Sequence, residues 1–165
     1  MEIKEATVNM CRRIAEVKYE VWITTYRDIY PEYKFKNFNF DTETKKFESL
    51  IFNPNVNLFV GTENNKIIGY MAVGKSDRPF DDNLKEIILL YVLKDYQKMG
   101  FGKQFFNYAY NLLKLQGEKE FIISCNKFNK NALAFYEKMG GKIIHIDEDF
   151  EDKSLSQIKL LFSVQ

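Results

Sequence analysis

The sequence lacks three features that would place it in a specialised class: paired cysteines, an excess of one charge and a long apolar run. Its two cysteines, Cys11 and Cys125, show no CxxC spacing and cannot form a metal site by themselves, so we expect no metal. Two free thiols in a chain without a secretion signal favour a reducing compartment. We therefore expect a cytoplasmic protein.

The charge balance and the hydropathy exclude two kinds of partner. Lysine and arginine together number 24, aspartate and glutamate 23, and the formal net charge is +1. This balance leaves no basic stripe to neutralise a phosphodiester backbone, so nucleic acid is not an expected partner. The longest apolar run, Ile87 to Leu93, has seven residues. A membrane-spanning helix needs about 20, so we expect no membrane partner either.

What is present fits one globular domain that covers residues 1–165. A chain of 165 residues can build one domain with a core but is too short for two ordinary domains. Hydrophobic residues make up 45% of the chain and charged residues 28%, the profile of a soluble globular protein. Because aromatic residues reach 16%, we expect Phe and Tyr to supply much of the buried area.

Apolar periodicity predicts the element order β-α-α-β-β-β-α-β-α-β-β. The first helix is expected from Val8 to about Ile29, and a hairpin is expected to turn at Asn64-Asn65. A long strand, Leu84 to Leu93, precedes a helix from about Met99 to Gln116, and a later helix runs from Asn129 to Met139. Strand–helix–strand units favour parallel pairs and hairpins favour antiparallel pairs. The order therefore predicts one α/β domain with a mixed sheet.

Two glycines follow the longest apolar run, in the segment QKMGFGKQ. A P-loop, GxxxxGK[ST], would need glycine at Gln97 and a hydroxyl side chain at Gln104. A dinucleotide-binding fingerprint, GxGxxG, would need glycine at Phe105. The segment satisfies neither motif.

A third phosphate-binding pattern, Q/R-x-x-G-x-G/A between an apolar strand and a helix, matches Gln97 through Gly102 at every specified position. Small residues let a ligand approach the backbone, and the free amides and dipole of a helix start attract anions. A pyrophosphate would then be held mostly by backbone, with Lys98 and Lys103 as nearby charges. The alternative is that Gly100 and Gly102 only form a tight turn.

The segment NKNALAFYEKMGGK supplies a second motif, N-x-x-A-x-x-x-Y-E-K-x-G, which starts at Asn129 and includes Tyr136. With both motifs in this order, the sequence closely resembles the GNAT family of acyl-CoA-dependent N-acetyltransferases over residues 1–165. The resemblance implies a mixed, mostly antiparallel, twisted sheet flanked by helices. It also implies acetyl-CoA as cosubstrate and a primary amine of a small molecule or peptide as acceptor. Lys94 and Met99 depart from the family's frequent proline and glycine, but neither change removes an amide donor.

The resemblance further implies roles for individual residues. Glu86 is expected to take the proton of the amine through a water, and Tyr136 to serve the departing thiolate as an acid. Backbone groups of residues 91–93 are expected to pair with the pantetheine arm. Asn129 is expected either to contact that arm or to cap its helix. The residues expected to bind the cofactor are Tyr91, Val92, Leu93, Gln97, Lys98, Met99, Gly100, Phe101, Gly102, Lys103, Asn129 and Tyr136.

The acceptor side is expected on the first helical region. Trp22, Tyr26 and Tyr30 are spaced i, i+4, i+8 and would wall the acceptor site, with core packing as the alternative. The segment VWITTYRDIYP is reminiscent of polyamine-type acetyltransferases. Acidic residues could attract such a cation; they are Glu20, Asp28, Glu32 and the loop 147–152.

Two other functions stay open at the level of sequence. A non-catalytic acyl-CoA-binding module would keep the glycine loop and could lose the acid and the base. Acetylation of a protein's amine would require an open groove rather than a closed pocket. The oligomeric state is equally open, a homodimer included.

Overall fold

The computed structural model describes residues 1–77 and 79–165. Its strands are β1 Glu2–Glu5, β2 Val56–Glu63, β3 Lys66–Gly74, β4 Lys85–Val92, β5 Glu120–Asn126, β6 Lys142–Asp147 and β7 Gln157–Ser163. Its α-helices are α1 Cys11–Thr25, α2 Glu32–Lys36, α3 Phe40–Phe52, α4 Phe101–Leu115 and α5 Lys130–Lys138.

The strands form one seven-stranded sheet in the order β1-β2-β3-β4-β5-β7-β6. Neighbouring strands are antiparallel except for β4 and β5, which are parallel. A parallel pair needs a long crossover, and α4 provides it. The predicted mixed, mostly antiparallel sheet flanked by helices is therefore confirmed.

Helices cover both faces of the sheet because each helix carries one apolar face. On α1, Ile14, Val17 and Val21 recur at three- and four-residue steps and are buried against the sheet with α3. On α4, Phe105, Ala109 and Leu113 recur every four residues and are fully buried in the core of the opposite face. No helix in the described ranges is long and apolar enough to cross a membrane.

The parallel pair β4–β5 is short, and this opens the sheet. The two strands are in register only at Lys85–Phe121, Glu86–Ile122 and Ile87–Ile123. Beyond Ile87 the strands diverge, so the rest of β4 faces a gap rather than a neighbouring strand. This gap lies at the carboxyl end of β4, shortly before residues 97–104, the glycine segment.

The first helical region differs from its prediction in two ways. The expected helix from Val8 to Ile29 ends at Thr25, and Tyr26 to Tyr30 form a turn in which the Tyr30 amide donates to the Tyr26 carbonyl at 2.8 Å. The second helix of the predicted order, a single helix after Pro31 that ends at Phe52, is instead the two helices α2 and α3, because Asn39 starts α3 by accepting a hydrogen bond from the Thr42 amide at 2.9 Å. Side-chain caps of this kind favour a new helix start over a continuous helix.

Candidate active site

A cavity of about 1040 Å³ opens at the gap between β4 and β5. It is walled on one side by the end of α1 and its following turn, and on the other by the glycine segment and α5. It brings together residues that lie far apart in the sequence, among them Tyr26, Gly102 and Tyr136. Both sequence motifs therefore face one space.

The glycine segment ends in a helix start with free amides. Gly100 has a φ of +86° and precedes α4 as its N-terminal cap residue, and Lys98 also has a positive φ, of 61°. The first helical hydrogen bond runs from the Gln104 amide to the Gly100 carbonyl, at 3.0 Å. Within the described chain the amides of Phe101, Gly102 and Lys103 thus have no helical partner, as at any helix start. Such amides form an anion-binding site.

The two glycines are needed for different reasons. Gly100 adopts the left-handed conformation, which other residues adopt only with strain. Gly102 has no positive φ, and among the described residues a Cβ placed on it would meet the Phe135 ring, at 3.6 Å, an ordinary contact. Packing within the protein therefore does not require glycine at position 102. The open space above its backbone suits the close approach of a ligand.

The carboxyl end of β4 offers fewer free backbone groups than the sequence predicts. The Leu93 amide donates to the Ile68 carbonyl of β3, and the Gln97 side chain donates to the Val92 carbonyl, both at 2.9 Å. The Leu93 amide is therefore not available to pantetheine, because β3 already uses it. Strand-like pairing with a ligand has to use groups of β4 between Ile88 and Val92, along the gap.

Tyr136 lies on α5 and contributes a buried phenol to the cavity. Only 6% of its surface is exposed. Burial raises the pKa of Tyr136, and the nearby Cys125 and Tyr26 raise it further. The phenol is therefore protonated at neutral pH and can act as a hydrogen-bond donor. Burial likewise raises the pKa of the Cys125 thiol to about 11, so this cysteine is not a reactive thiolate.

Asn129 acts as a helix cap and also contacts the opposite wall. Its Oδ1 accepts a hydrogen bond from the Ala132 amide at 3.1 Å, which fixes the start of α5. Its Nδ2 donates to the Tyr26 hydroxyl at 3.3 Å. The Tyr26 ring in turn stacks on Tyr30, with centroids 4.7 Å apart and planes at 9°. A chain of contacts thus links Tyr26 and Tyr30, which form the acceptor wall of the cavity, to α5, the helix that carries Tyr136.

The three aromatic residues predicted on the acceptor side do not share one location. Tyr26 and Tyr30 line the cavity, whereas Trp22 does not. The Trp22 ring packs behind Tyr30 and against Phe38, with centroid distances of 5.4 and 5.6 Å. Because the helix ends at Thr25, the i, i+4, i+8 spacing does not continue on one helical face.

Glu86 is not among the residues that line the cavity. It is buried, with 7% of its surface exposed, and its Oε1 accepts a hydrogen bond from the Phe80 amide at 3.3 Å. The structure therefore separates the two residues predicted to be catalytic: Tyr136 faces the cavity, and Glu86 lies below the point where β4 and β5 diverge.

The acidic residues proposed to attract a polyamine also lie outside the lining. Glu20 pairs with Arg13 at 2.7 Å, Glu32 with Lys36 at 3.1 Å, and Asp152 with Lys34 at 3.6 Å. Asp28 does not line the cavity either. In the described residues no group of three or more His, Cys, Asp or Glu side chains could hold a metal ion.

The cavity floor consists of polar residues that sequence reasoning did not identify. Ser124 and Asn126 on β5 and Gln157 on β7 line it on the acceptor side. Ser124 and Gln157 are half-buried and Asn126 is buried, and no local motif distinguishes these polar residues from other strand positions. Their meeting depends on the pairing of β5 with β7, in which Asn126 lies opposite Gln157.

Comparisons with known proteins agree with this geometry. The model of the acetyltransferase (GNAT) family matches residues 19–141. The fold is similar to that of PaiA N-acetyltransferase from Thermoplasma acidophilum, solved with coenzyme A, at 20% identity and a TM-score of 0.78, with 98% of each chain covered. It is similar to ribosomal-protein-alanine N-acetyltransferase from Brucella melitensis at 13% identity and a TM-score of 0.77, with 99% of each chain covered.

A third similar structure is yncA from Salmonella typhimurium, solved with acetyl-CoA. It shares 16% identity and a TM-score of 0.73, with 100% of this chain and 94% of that chain covered. At such identities these structures establish the fold, and the family model, which spans most of the sequence, establishes the family. The chain belongs to the GNAT family of acetyltransferases.

Proposed function

We propose that the protein transfers an acetyl group from acetyl-CoA to a primary amine of a small molecule or peptide. One observation carries this proposal: a single cavity is lined by Gly100, Gly102 and Lys103 at the start of α4, by Tyr136 and by the aromatic wall of Tyr26 and Tyr30. Two solved structures with the same fold contain coenzyme A or acetyl-CoA, which supports the choice of donor.

The glycine segment binds the pyrophosphate in this proposal. The free amides of residues 101–103 supply hydrogen bonds, and the start of α4 supplies partial positive charge. Lys98 and Lys103 line the cavity beside these amides and add full charges. The divergence of β4 from β5 leaves room for the pantetheine arm to pair with β4 as an added strand would.

Tyr136 acts on the leaving group. The thiol of coenzyme A resembles a cysteine thiol, whose pKa is about 8.5, while the pKa of the buried phenol lies above its ordinary value. Complete proton transfer from Tyr136 to the thiolate is therefore uphill. The phenol instead stabilises the departing thiolate by donating a hydrogen bond, a role of the oxyanion-hole type.

Glu86 enters the proposal as a remote base. An amine titrates near ~10 in water, so it must lose a proton before it attacks the thioester. Glu86 does not line the cavity, and it would reach the acceptor nitrogen only through water. The acceptor also loses solvation as it enters the buried site, and this lowers its pKa and favours the neutral, nucleophilic form.

A panel of primary amines incubated with acetyl-CoA tests the proposal, with thiol release as the readout. In parallel, calorimetry measures coenzyme A binding to the wild type and to Gly102→Val. The valine side chain would project into the space above the loop, where a Cβ would contact the Phe135 ring at an ordinary distance of 3.6 Å. We therefore expect a folded variant, by circular dichroism, that has lost measurable coenzyme A binding.

Each half of the experiment can fail by itself. Unchanged coenzyme A affinity in folded Gly102→Val would show that the glycine segment does not hold the pyrophosphate. Coenzyme A binding without acetylation of any amine would instead favour a non-catalytic acyl-CoA-binding module.

A further inference from the structure

The cavity described above has an uneven charge distribution. In the described part of the chain, its lining contains no aspartate or glutamate but does contain five lysines, which lie just after β4, in the glycine segment and on α5: Lys94, Lys98, Lys103, Lys130 and Lys138. The phosphates of coenzyme A can neutralise these side chains. The acceptor half is lined instead by neutral groups, including Tyr30, Ser124 and Gln157. A polycationic acceptor would find no carboxylate there.

A further cation lies beneath this neutral half. Lys159 is on β7, directly opposite Ser124 of β5, and its Nζ donates to the Ser124 Oγ at 3.0 Å. Residues directly opposite each other in an antiparallel pair share one face of the sheet. Lys159 is not itself among the lining residues, but Ser124 is, so the Lys159 ammonium group lies next to the cavity floor at the Ser124 hydroxyl.

The environment of Lys159 differs from that of the other half-buried lysines. Lys18, Lys34, Lys85 and Lys127 each have a carboxylate within 4.0 Å: Glu43, Asp152, Glu118 and Glu148 respectively. Lys159 is also half-buried but forms no ion pair among the described residues. A partly desolvated ammonium group is costly unless an anion compensates it.

Neighbouring strands extend this arrangement into a row of hydrogen-bond donors. His145 of β6 lies opposite Lys159, so Ser124, Lys159 and His145 form a row across three strands. The carboxylates on adjacent rows are Glu86, which accepts from the Phe80 amide, and Asp147, which lies opposite Gln157. Neither forms an ion pair with Lys159. The row can therefore receive an anion from outside the chain.

Resting on the proposed function, we propose that the acceptor is an aminocarboxylate, a molecule that carries a carboxylate as well as the primary amine. The carboxylate binds Lys159 and Ser124, and the amine points toward the gap between β4 and β5. Strands are spaced about 5 Å apart, and Lys159 lies one strand beyond β5. The amine and the carboxylate are therefore separated by about 5–10 Å, as in a long ω-amino acid or a short peptide.

A matched pair of acceptors tests this proposal: 5-aminopentanoate and 1,5-diaminopentane have the same chain length and differ in the charge of one end. We expect the wild type to show a kcat/KM about 10–100-fold higher for the aminocarboxylate, the factor expected for one or two charge-assisted hydrogen bonds. Lys159→Met should remove most of this preference by lowering only the aminocarboxylate value. Lys159→Glu should reverse the preference.

Two further variants serve as a control and as an independent test. Lys66→Glu makes the same charge change at an exposed lysine at the start of β3 and should leave the selectivity unchanged. Ser124→Ala removes one donor from the row without changing the strand, and it should give a smaller loss in the same direction. It keeps the test decisive if the Lys159 variants do not fold.

The outcomes separate this proposal from the more general one. Equal rates with both acceptors, or a preference for the diamine, would overturn the aminocarboxylate assignment while leaving the acetyltransferase in place. If neither acceptor reacts, calorimetry of 5-aminopentanoate with the coenzyme A-saturated protein decides the question without turnover. Binding that disappears in Lys159→Met supports the site, and absence of binding to the wild type overturns it.

Discussion

At the scale of single residues, the cavity contains neutral groups, which act through hydrogen bonds from fixed positions, and charged groups, which act through their charge. The phenols of Tyr26, Tyr30, Tyr91 and Tyr136 are all buried enough for their pKa to rise, and that of Tyr30 reaches about 12. They remain neutral donors throughout the physiological range. Stabilisation of a developing negative charge by fixed, neutral donors is the kind of catalysis for which such a site is suited.

The role of Tyr136 predicts the behaviour of Tyr136→Phe. The change removes one hydroxyl and almost no volume, so acetyl-CoA affinity should barely move. Turnover should fall by about ten- to a thousandfold, because one stabilising donor to the thiolate is lost. The loss should be the same at pH values from about 6 to 9, since the raised pKa keeps the phenol protonated there. Steady-state kinetics at several pH values would measure it.

Glu86→Gln provides the comparison for this variant. If Glu86 takes the amine proton through water, its loss should lower the rate near neutral pH and leave more of it at higher pH, where the acceptor is already deprotonated. A rate loss in Tyr136→Phe that also disappears at high pH would contradict a role on the leaving group. Full activity of Tyr136→Phe with a good acceptor would exclude the role altogether.

At the scale of elements, the packing of α1 on α3 holds the acceptor wall. Lys18 of α1 contacts Glu43 of α3 at 2.5 Å, with side chains 17% and 11% exposed, and Lys46 contacts the same carboxylate at 2.6 Å. Burial would raise the pKa of Glu43, but the hydrogen bonds and charges of the two lysines outweigh it and hold the pKa below its ordinary value. The Lys18 ammonium also lies 4.8 Å from the Trp22 ring centroid.

Glu43→Gln should therefore destabilise the fold. Removal of one partner from a largely buried ion pair costs roughly 2–4 kcal/mol, near the lower end of the range for fully buried pairs. The matched control is Glu32→Gln, which breaks the exposed pair with Lys36 and should cost less than about 0.5 kcal/mol. Urea unfolding would measure both changes. Equal midpoints for the two variants would contradict the role of the buried pair.

The same carboxylate gives a pH dependence of stability. Because the folded pKa of Glu43 lies below its unfolded value, near ~4.3, its contribution is fully present above that value. It is lost as the pH falls through the folded pKa. The difference in unfolding free energy between wild type and Glu43→Gln should therefore shrink on acidification below about pH 4 and stay constant between about pH 6 and 8.

The element scale also shows how far the sequence reaches. The apolar run of β4 and the four-residue steps of α4 predict both elements to within two residues at each end, because local hydrophobic patterns and the glycine segment define them. The gap between β4 and β5 comes instead from where two distant strands stop pairing. The end of α1 at Thr25 was missed because Trp22, Tyr26 and Tyr30 continue a helical spacing past the helix.

The same contrast between local sequence patterns and long-range strand pairing applies to the residues of the candidate site. The glycine segment, Tyr136 and Asn129 could be predicted because each belongs to a local motif. Lys159 could not, because its contact with Ser124 joins residues 35 positions apart in two unremarkable strands. Residues whose role depends on neighbours across a strand pair carry no local sequence pattern, so a single sequence does not identify them.

At the scale of the whole molecule, the cavity joins two parts of the sheet. Strands β1 to β4 and strands β5, β7 and β6 meet along only three register positions of the parallel pair. Helix α1 packs on β3, α4 packs on β4 and α5 packs on β5, so the cavity walls belong to both parts. A ligand that spans the gap therefore contacts elements of both parts.

Ligand binding at this junction should stabilise the entire fold. At a concentration 100 times its Kd, coenzyme A adds about 2.7 kcal/mol to the unfolding free energy, because it binds only the folded state. For a domain of this size the Tm should then rise by about 5–10 °C. Gly102→Val should show no rise, since it blocks the pyrophosphate site.

Magnesium should not change the shift in Tm, because Gln104 stands where a P-loop has its metal-binding hydroxyl. Thermal scans of both proteins with and without coenzyme A measure the change in Tm. An equal rise in wild type and Gly102→Val would show that coenzyme A does not bind at the glycine segment beside the gap.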